Sequence, residues 1–364
     1  MKQLNPQAAT LIFPCAPDSC HKFYSEARER GENVVIASSV VSDLHDERYQ
    51  TCSHHLLPYI YEKEFETLFL ELIRQHNISQ IFCPIPSVHV FVSQLIAKEK
   101  LNLRHLTHMP IRVYQDNFLD LQQKASSAIA HINNISPGPT KLTHSDVTAI
   151  LQYVNSTYGE SSFDKICSIM GIFHDMPQGD IVEIGVLAGK TAGLLALMNR
   201  YYKTGAILAI DPWTRDEALQ AEFPSSVRDV MMDEWDFDLL ATSFVINMLP
   251  IICQSFNYLR MCSEDAFTHF CSTPYVSSQE FGTVEYKQRI AMIHIDGNHD
   301  YEKVKLDCDL WLTKLAPGAW LVLDDYLWPH GDGPNRVGHE LLTNQAKYIE
   351  QSFVSGGALF IKFC

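Results

Sequence analysis

Two α/β domains in succession, each a doubly wound parallel sheet covered by helices, are what the sequence predicts. Three observations carry this reading. Short apolar runs alternate with helical stretches from Thr10 to about Leu103, and again from Asp180 to the end of the chain. The length of 364 residues, with 46% hydrophobic and 20% charged residues, suits two globular domains. Between the two series stands Ser136-Pro-Gly-Pro139, which sets the expected domains at 1–138 and 139–364.

In the first domain, Thr10-Leu-Ile-Phe-Pro-Cys reads as a strand, Ser19 to Arg30 as a helix stopped by Gly31, and Asn33-Val-Val-Ile-Ala-Ser as a second strand. Glu64 to His76 follows as an amphipathic helix, Gln80-Ile-Phe-Cys-Pro as a third strand, and Val88 to Lys98 as another helix. Pro14, Pro17 and Ser19 stand where a dinucleotide-binding domain would carry its glycine loop, so that fingerprint is absent. The layout resembles the leading domain that precedes ATP-grasp enzymes, but no ATP-grasp catalytic region follows, and its binding role is unreadable.

Lys and Arg number 28 against 43 Asp and Glu, a formal charge of −15, which disfavours nucleic acid and anionic membrane surfaces as partners. No apolar run approaches the roughly 20 residues of a membrane span, so a soluble, cytoplasmic protein is expected. The ten cysteines include no Cys-x-x-Cys pair and read as reduced core thiols.

The second domain opens with helical segments at about Ser145 to Tyr158 and Ser162 to Phe173. Then Asp180-Ile-Val-Glu183-Ile-Gly185-Val-Leu-Ala-Gly189 runs from a strand into a glycine turn and the apolar helix Thr191 to Tyr201. Gly185 and Gly189 let backbone approach a ligand, and the helix start offers free N–H groups. A phosphate-binding P-loop needs four residues between its glycines, and here there are three. Glu183 would also repel phosphates. Ala206-Ile-Leu-Ala-Ile-Asp211 ends in an acid placed to accept both ribose hydroxyls of a nucleoside. Leu259 to Ser263 reads as the next strand, Ile290 to Asp296 as a fourth and Trp320 to Asp324 as a fifth. Two closing runs, Tyr348 to Val354 and Ala358 to Phe363, joined by Gly356-Gly357, read as a hairpin.

The spacing Glu183-x-Gly185-x-x-x-Gly189 resembles motif I of the class I S-adenosylmethionine-dependent methyltransferases, and the strand order resembles their sheet with its terminal β-hairpin. The resemblance covers His144 to Cys364. Ile293-His-Ile-Asp-Gly-Asn-His-Asp-Tyr301 with Leu321-Val-Leu-Asp-Asp-Tyr326 is similar to the metal-dependent macrocin-type O-methyltransferases, which act on sugars and related natural products. The leading Rossmann-like domain departs from that pattern. The resemblance implies S-adenosyl-L-methionine bound by Glu183, Gly185, Gly189, Asp211, Ser263 and Asp296. It also implies a small-molecule acceptor, and assembly into a homo-oligomer stays open.

Asp296 ends the fourth strand and Asp324-Asp325 the fifth, so all three carboxylates emerge at one sheet edge, where they would repel unless a cation joined them. Hard oxygen ligands select Mg²⁺ or a similar ion, and a metal site of Asp296, Asp324 and Asp325 is expected. Otherwise Asp324 caps a loop and Asp325 is solvated. His299, three residues after Asp296, is the candidate base with Asp296 beside it, and His330 is the runner-up. Trp213 and Trp328 line the acceptor pocket or pack in the core. A metal-independent methyltransferase and a non-catalytic cofactor sensor are the rival readings.

Overall fold

The computed structural model describes residues 8–364 apart from positions 50, 108, 137, 139, 229, 231, 232, 253 and 254. Two compact units divide between Asp120 and Leu121. In the first, the elements run β1 (Ala9–Ile12), α1 (Asp18–Glu29), β2 (Val34–Ser38), β3 (Ser53–Leu56), α2 (Phe65–Gln75), β4 (Ile78–Phe82), α3 (Pro86–Glu99) and β5 (Arg104–His105). They form one parallel sheet in the order β3-β2-β1-β4-β5, with Leu11 paired to Val35 on one side and to Ile81 on the other. The inner strands are buried on both faces, as helices on both sides require. Edge strand β3, Ser-His-His-Leu, carries no apolar pattern, so it was invisible to periodicity; its polar residues suit an edge exposed to water.

Helix α4 (Pro110–Ile135) runs through the division at 120/121, in a stretch whose mixed composition predicted no element. The expected boundary at Ser136-Pro-Gly-Pro139 falls just after this helix; Pro137 and Pro139 lie outside the described residues.

The second unit continues with α5 (His144–Ser156), α6 (Phe163–Ile172), β6 (Asp180–Ile184), α7 (Lys190–Tyr202), β7 (Ile207–Ile210), α8 (Arg215–Ala218), α9 (Ser225–Arg228) and α10 (Phe237–Met248). Then come β8 (Phe256–Leu259), α11 (Ser263–Ser272), β9 (Tyr275–Ser278), β10 (Gly282–Glu285), β11 (Ile290–Ile295), α12 (Tyr301–Trp311), β12 (Leu315–Leu323), α13 (Gly333–Asn344), β13 (Ile349–Ser355) and β14 (Ala358–Phe363). The start of α5 is fixed by Thr143, whose hydroxyl accepts from the Asp146 N–H while the Asp146 carboxylate accepts from the Thr143 N–H. Such a capping box is worth about 1 kcal/mol.

The main sheet has the order β13-β14-β12-β11-β6-β7-β8. Its five strands from β12 to β8 are parallel, and the closing hairpin is antiparallel. These are the five parallel strands and the terminal hairpin that the sequence predicts. One face packs Met292, Trp320 and Phe360 against α5, α6 and α7; the other packs Ile293, Leu321 and Ile361 beneath α11, α12 and α13. Strand β8 ends at Leu259, earlier than expected, because Ser263-Glu264-Asp265 supplies the acidic first turn that favours a helix start. Among the described cysteines, Cys15, Cys20, Cys83, Cys167 and Cys308 are buried, whereas Cys271 and Cys364 are exposed; Cys253 lies outside the described residues.

Candidate active site

The glycine turn after β6 is built for close contact. Gly185 has φ +80°, and a Cβ there would lie 1.9 Å from the Asp296 carbonyl oxygen. Only glycine lets the ends of β6 and β11 meet this closely. Asp211, at the end of β7, stabilises the turn: one carboxylate oxygen accepts from the Val186 and Leu187 N–H groups at 2.8 and 3.0 Å, the other from the Trp213 N–H at 2.7 Å. The Trp213 indole N–H donates to the Leu187 carbonyl, so this residue supports the turn while touching the cavity. Gly189 caps α7 with its carbonyl accepting from the Tyr153 hydroxyl, and it does not line the cavity. Lys190, which would follow a P-loop's second glycine, donates instead to the Gly159 carbonyl at 2.7 Å.

A cavity of about 350 Å³ opens at this edge, and Glu183, Gly185, Asp211, Ser263, Asp296 and His299 all line it. Glu183 is buried in β6, where it accepts from His294 Nδ1 at 3.0 Å while its Oε2 has no hydrogen-bond partner. Burial raises its pKa against the pull of His294. An orphaned carboxylate oxygen on a residue that lines the cavity suits a ligand with an ammonium group. Ser263 is spent inside the protein: its hydroxyl accepts from the Trp311 indole N–H at 2.9 Å and bonds Asp307, whose carboxyl is pushed up to about 7 by burial.

The acids divide into two groups that share Asp296. In the first, the Lys165 ammonium, buried on α6, pairs with Asp324 and stands 3.4 Å from Asp296; His294 Nε2 lies 3.8 Å from both carboxylates. Burial opposes ionisation of Asp324, but Lys165 and His294 outweigh it and hold the carboxyl well below its ordinary range. The same carboxylates and Glu183 raise His294 to about 9 against burial and the Lys165 charge. Lys165 and His294 thus balance Glu183 and Asp324 within the sheet edge.

Asp325, with φ +49°, turns the other way. It stands 3.2 Å from His299 Nε2, which is 3.9 Å from Asp296, and these three residues bring ligand atoms within 4.8 Å of one another. Of the expected set, Asp324 falls in a group with His294 and Asp296 and pairs with Lys165, whereas Asp325 joins Asp296 and His299 in the group that lines the cavity. Burial raises Asp325 to about 6. His299 is half-buried, with Nε2 shielded and lacking a hydrogen-bond partner; burial opposes its charged form, but Asp296 and Asp325 raise its pKa overall. Gln220 Nε2 holds its Nδ1 at 3.4 Å. His330, the alternative base, is exposed, with the Trp328 ring between it and His299 at centroid distances of 5.4 and 4.7 Å.

Several functional groups escaped the sequence reading. Lys165 is a lone cation in the otherwise apolar run of α6, the one signal that marked it. Asp300 accepts from the Ala221 and Glu222 N–H groups, and Asn298 donates to the Glu217 and Leu219 carbonyls, which ties the loop after β11 to that after α8. A Cβ on Gly333 would lie 2.1 Å from the His299 carbonyl, so the start of α13 also fixes this loop.

Residues 182–326 match a family model described as a methyltransferase domain. No curated protein matches the chain. Among solved structures, the O-methyltransferase NovP shares 15% identity over 56% of this chain and 80% of its own, with a TM-score of 0.42. The calicheamicin methyltransferase CalS11 shares 14% over 66% of this chain and 91% of its own, with a TM-score of 0.40. MycE from the mycinamycin pathway, in complex with Mg and SAH, shares 11% over 58% of this chain and 52% of its own, with a TM-score of 0.35. The family match covers the glycine turn, Asp211 and the three strand-end acids, and the chain carries a methyltransferase domain over residues 182–326.

Proposed function

We propose that the protein transfers a methyl group from S-adenosylmethionine to a hydroxyl of a small molecule of sugar or natural-product type, with a divalent ion such as Mg²⁺ held by Asp296 and Asp325. The observation that carries this is the group Asp296, His299 and Asp325 at the edge of the cofactor cavity, with a buried imidazole nitrogen that has no partner. Two carboxylates at close quarters on a cavity wall fit a hard cation that keeps several waters. When bound, such an ion polarises the acceptor oxygen and offsets the charge of both carboxylates.

The chain's own residues do the rest. Glu183 and the 185–189 turn would hold the amino-acid end of the cofactor, Asp211 its ribose, and the start of α11 at Ser263 its adenine. His299, steadied by Gln220 and packed edge-on to Trp328, would accept the hydroxyl proton at Nε2. Asp296 bridges the two acid groups, so the proton-accepting side is anchored to the sheet through Lys165. The Lys165 ammonium, a resident cation at the same edge, favours a second reading in which no metal is needed and the acids only orient the acceptor.

A small acceptor, rather than nucleic acid or a membrane, is supported by the cavity of about 350 Å³ and the charge of −15. No helix among the described residues is long and apolar enough to cross a membrane. The first unit would serve capture or assembly. His299→Ala tests the reading: the rate of methyl transfer should fall on the order of 10²–10⁴-fold while affinity for S-adenosylhomocysteine is kept. A near-normal rate would move the base to His330.

A further inference from the structure

Beyond His299 and Trp328, on the side away from the cofactor turn, lies a second cavity of about 370 Å³. Gln220, His299 and Trp328 line both cavities, so a molecule seated in the second can present a hydroxyl at His299. Its wall is aromatic. Trp328 packs against Phe223 at a centroid distance of 5.4 Å, and His330 stands edge-on to the same indole. Its charge is of one sign: Glu222, Asp300 and Asp332 line it, and no Lys or Arg among the described residues does.

The three acids are not equivalent. Asp300 spends both oxygens on the Ala221 and Glu222 N–H groups. Glu222 and Asp332 stay solvent-accessible at the rim. The nearest guanidinium, Arg336, lies 4.0 Å from Glu222 and 3.9 Å from Asp332, but it stacks on the Tyr301 ring and offsets only one of the two charges. His299 lines the same space, with its Nε2 directed toward Asp325 and Asp296.

Resting on the methyltransferase reading above, we propose that this second cavity selects an acceptor bearing a protonated amine, held over the Trp328 and Phe223 rings and between Glu222 and Asp332, with its hydroxyl at His299. An indole face beside carboxylates attracts an ammonium group. The same walls repel a phosphate ester, which excludes nucleotide-linked and phosphorylated acceptors. A hydroxylated amine, such as an amino sugar, is the class that satisfies both ends.

The test uses methyl 2-amino-2-deoxyglucoside and methyl glucoside as matched probes, titrated into the full-length protein loaded with S-adenosylhomocysteine and followed by ligand-observed NMR. The amino glycoside should bind about tenfold more tightly, and the double variant Glu222→Gln, Asp332→Asn should abolish that advantage. Equal affinity for the two probes, no binding of either, or an undiminished advantage in the double variant would overturn the proposal. The affinity for S-adenosylhomocysteine, read in the same samples, tests the methyltransferase reading separately and should not change in the variant.

Discussion

The buried ammonium of Lys165 on α6 is paired with the carboxylate of Asp324 at the end of β12, so a residue from the helical lead-in supplies the counter-charge at the sheet edge beside the cavity. Removing one partner of such a pair leaves the other charge buried and unpaired, which costs about 3–5 kcal/mol. Lys165→Met should lower stability by that amount in urea unfolding. The double variant Lys165→Met, Asp324→Leu should recover part of the loss, because Asp324 is no longer left unpaired, whereas Asp296 and His294 still lack those partners. A single variant as stable as the wild type would contradict the pairing.

Asp211 holds the cofactor turn through three backbone N–H groups before any ligand arrives. Asp211→Ala removes these acceptors together with the proposed ribose contact. Affinity for S-adenosylhomocysteine should fall roughly ten- to a hundredfold, or about 1.5–3 kcal/mol, by calorimetry. Unchanged affinity would remove Asp211 from the cofactor site.

Gly185→Ala places a Cβ 1.9 Å from the Asp296 carbonyl at a φ of +80°. The turn must shift away from β11, so the variant should melt lower, and S-adenosylhomocysteine should no longer raise its melting temperature. A normal ligand-induced rise would show that the turn is not part of the site.

Asp307 gives a pH signature. An unfolded aspartate loses its proton near pH 4, whereas burial holds the Asp307 proton to about 7. Between these values the unfolded chain ionises while the folded one does not, so this group's contribution to stability falls as pH rises through the window and levels off above it. Asp307→Asn removes the titration and keeps the shape. Relative to the wild type, the variant should gain stability between about pH 4 and about pH 7, by at most about 4 kcal/mol. Parallel unfolding curves across that range would place the Asp307 carboxyl at an ordinary pKa.

The parallel strands of both units were legible because doubly buried strands read as apolar runs: β6, β7 and β11 lie where Asp180-Ile-Val-Glu183, Ile207 to Ile210 and Ile290 to Ile295 mark them. Edge strand β3 and the β9–β10 hairpin carry mixed polar sequences and left no period to find. Helix α10 lies between Asp211 and Leu259, where the sequence reading placed no element. At the site, strand-end position announced Glu183, Asp211, Asp296 and the Asp324-Asp325 pair. Sequence position alone could not say that Asp325 adopts a left-handed backbone that turns it from Asp324 toward His299, nor that Lys165 reaches Asp324 from 159 positions away. Such partners are set by packing of α6 on the sheet, which no local spacing records.

The central claim is that Asp296 and Asp325 form a divalent-ion site beside the cofactor cavity. Its most direct test is Mn²⁺ titration, followed by electron paramagnetic resonance, of EDTA-treated protein loaded with S-adenosylhomocysteine. One bound ion per chain is expected in the wild type, with loss of that ion in Asp325→Ala and S-adenosylhomocysteine affinity retained. No bound ion in the wild type, or an ion that Asp325→Ala leaves in place, would contradict it.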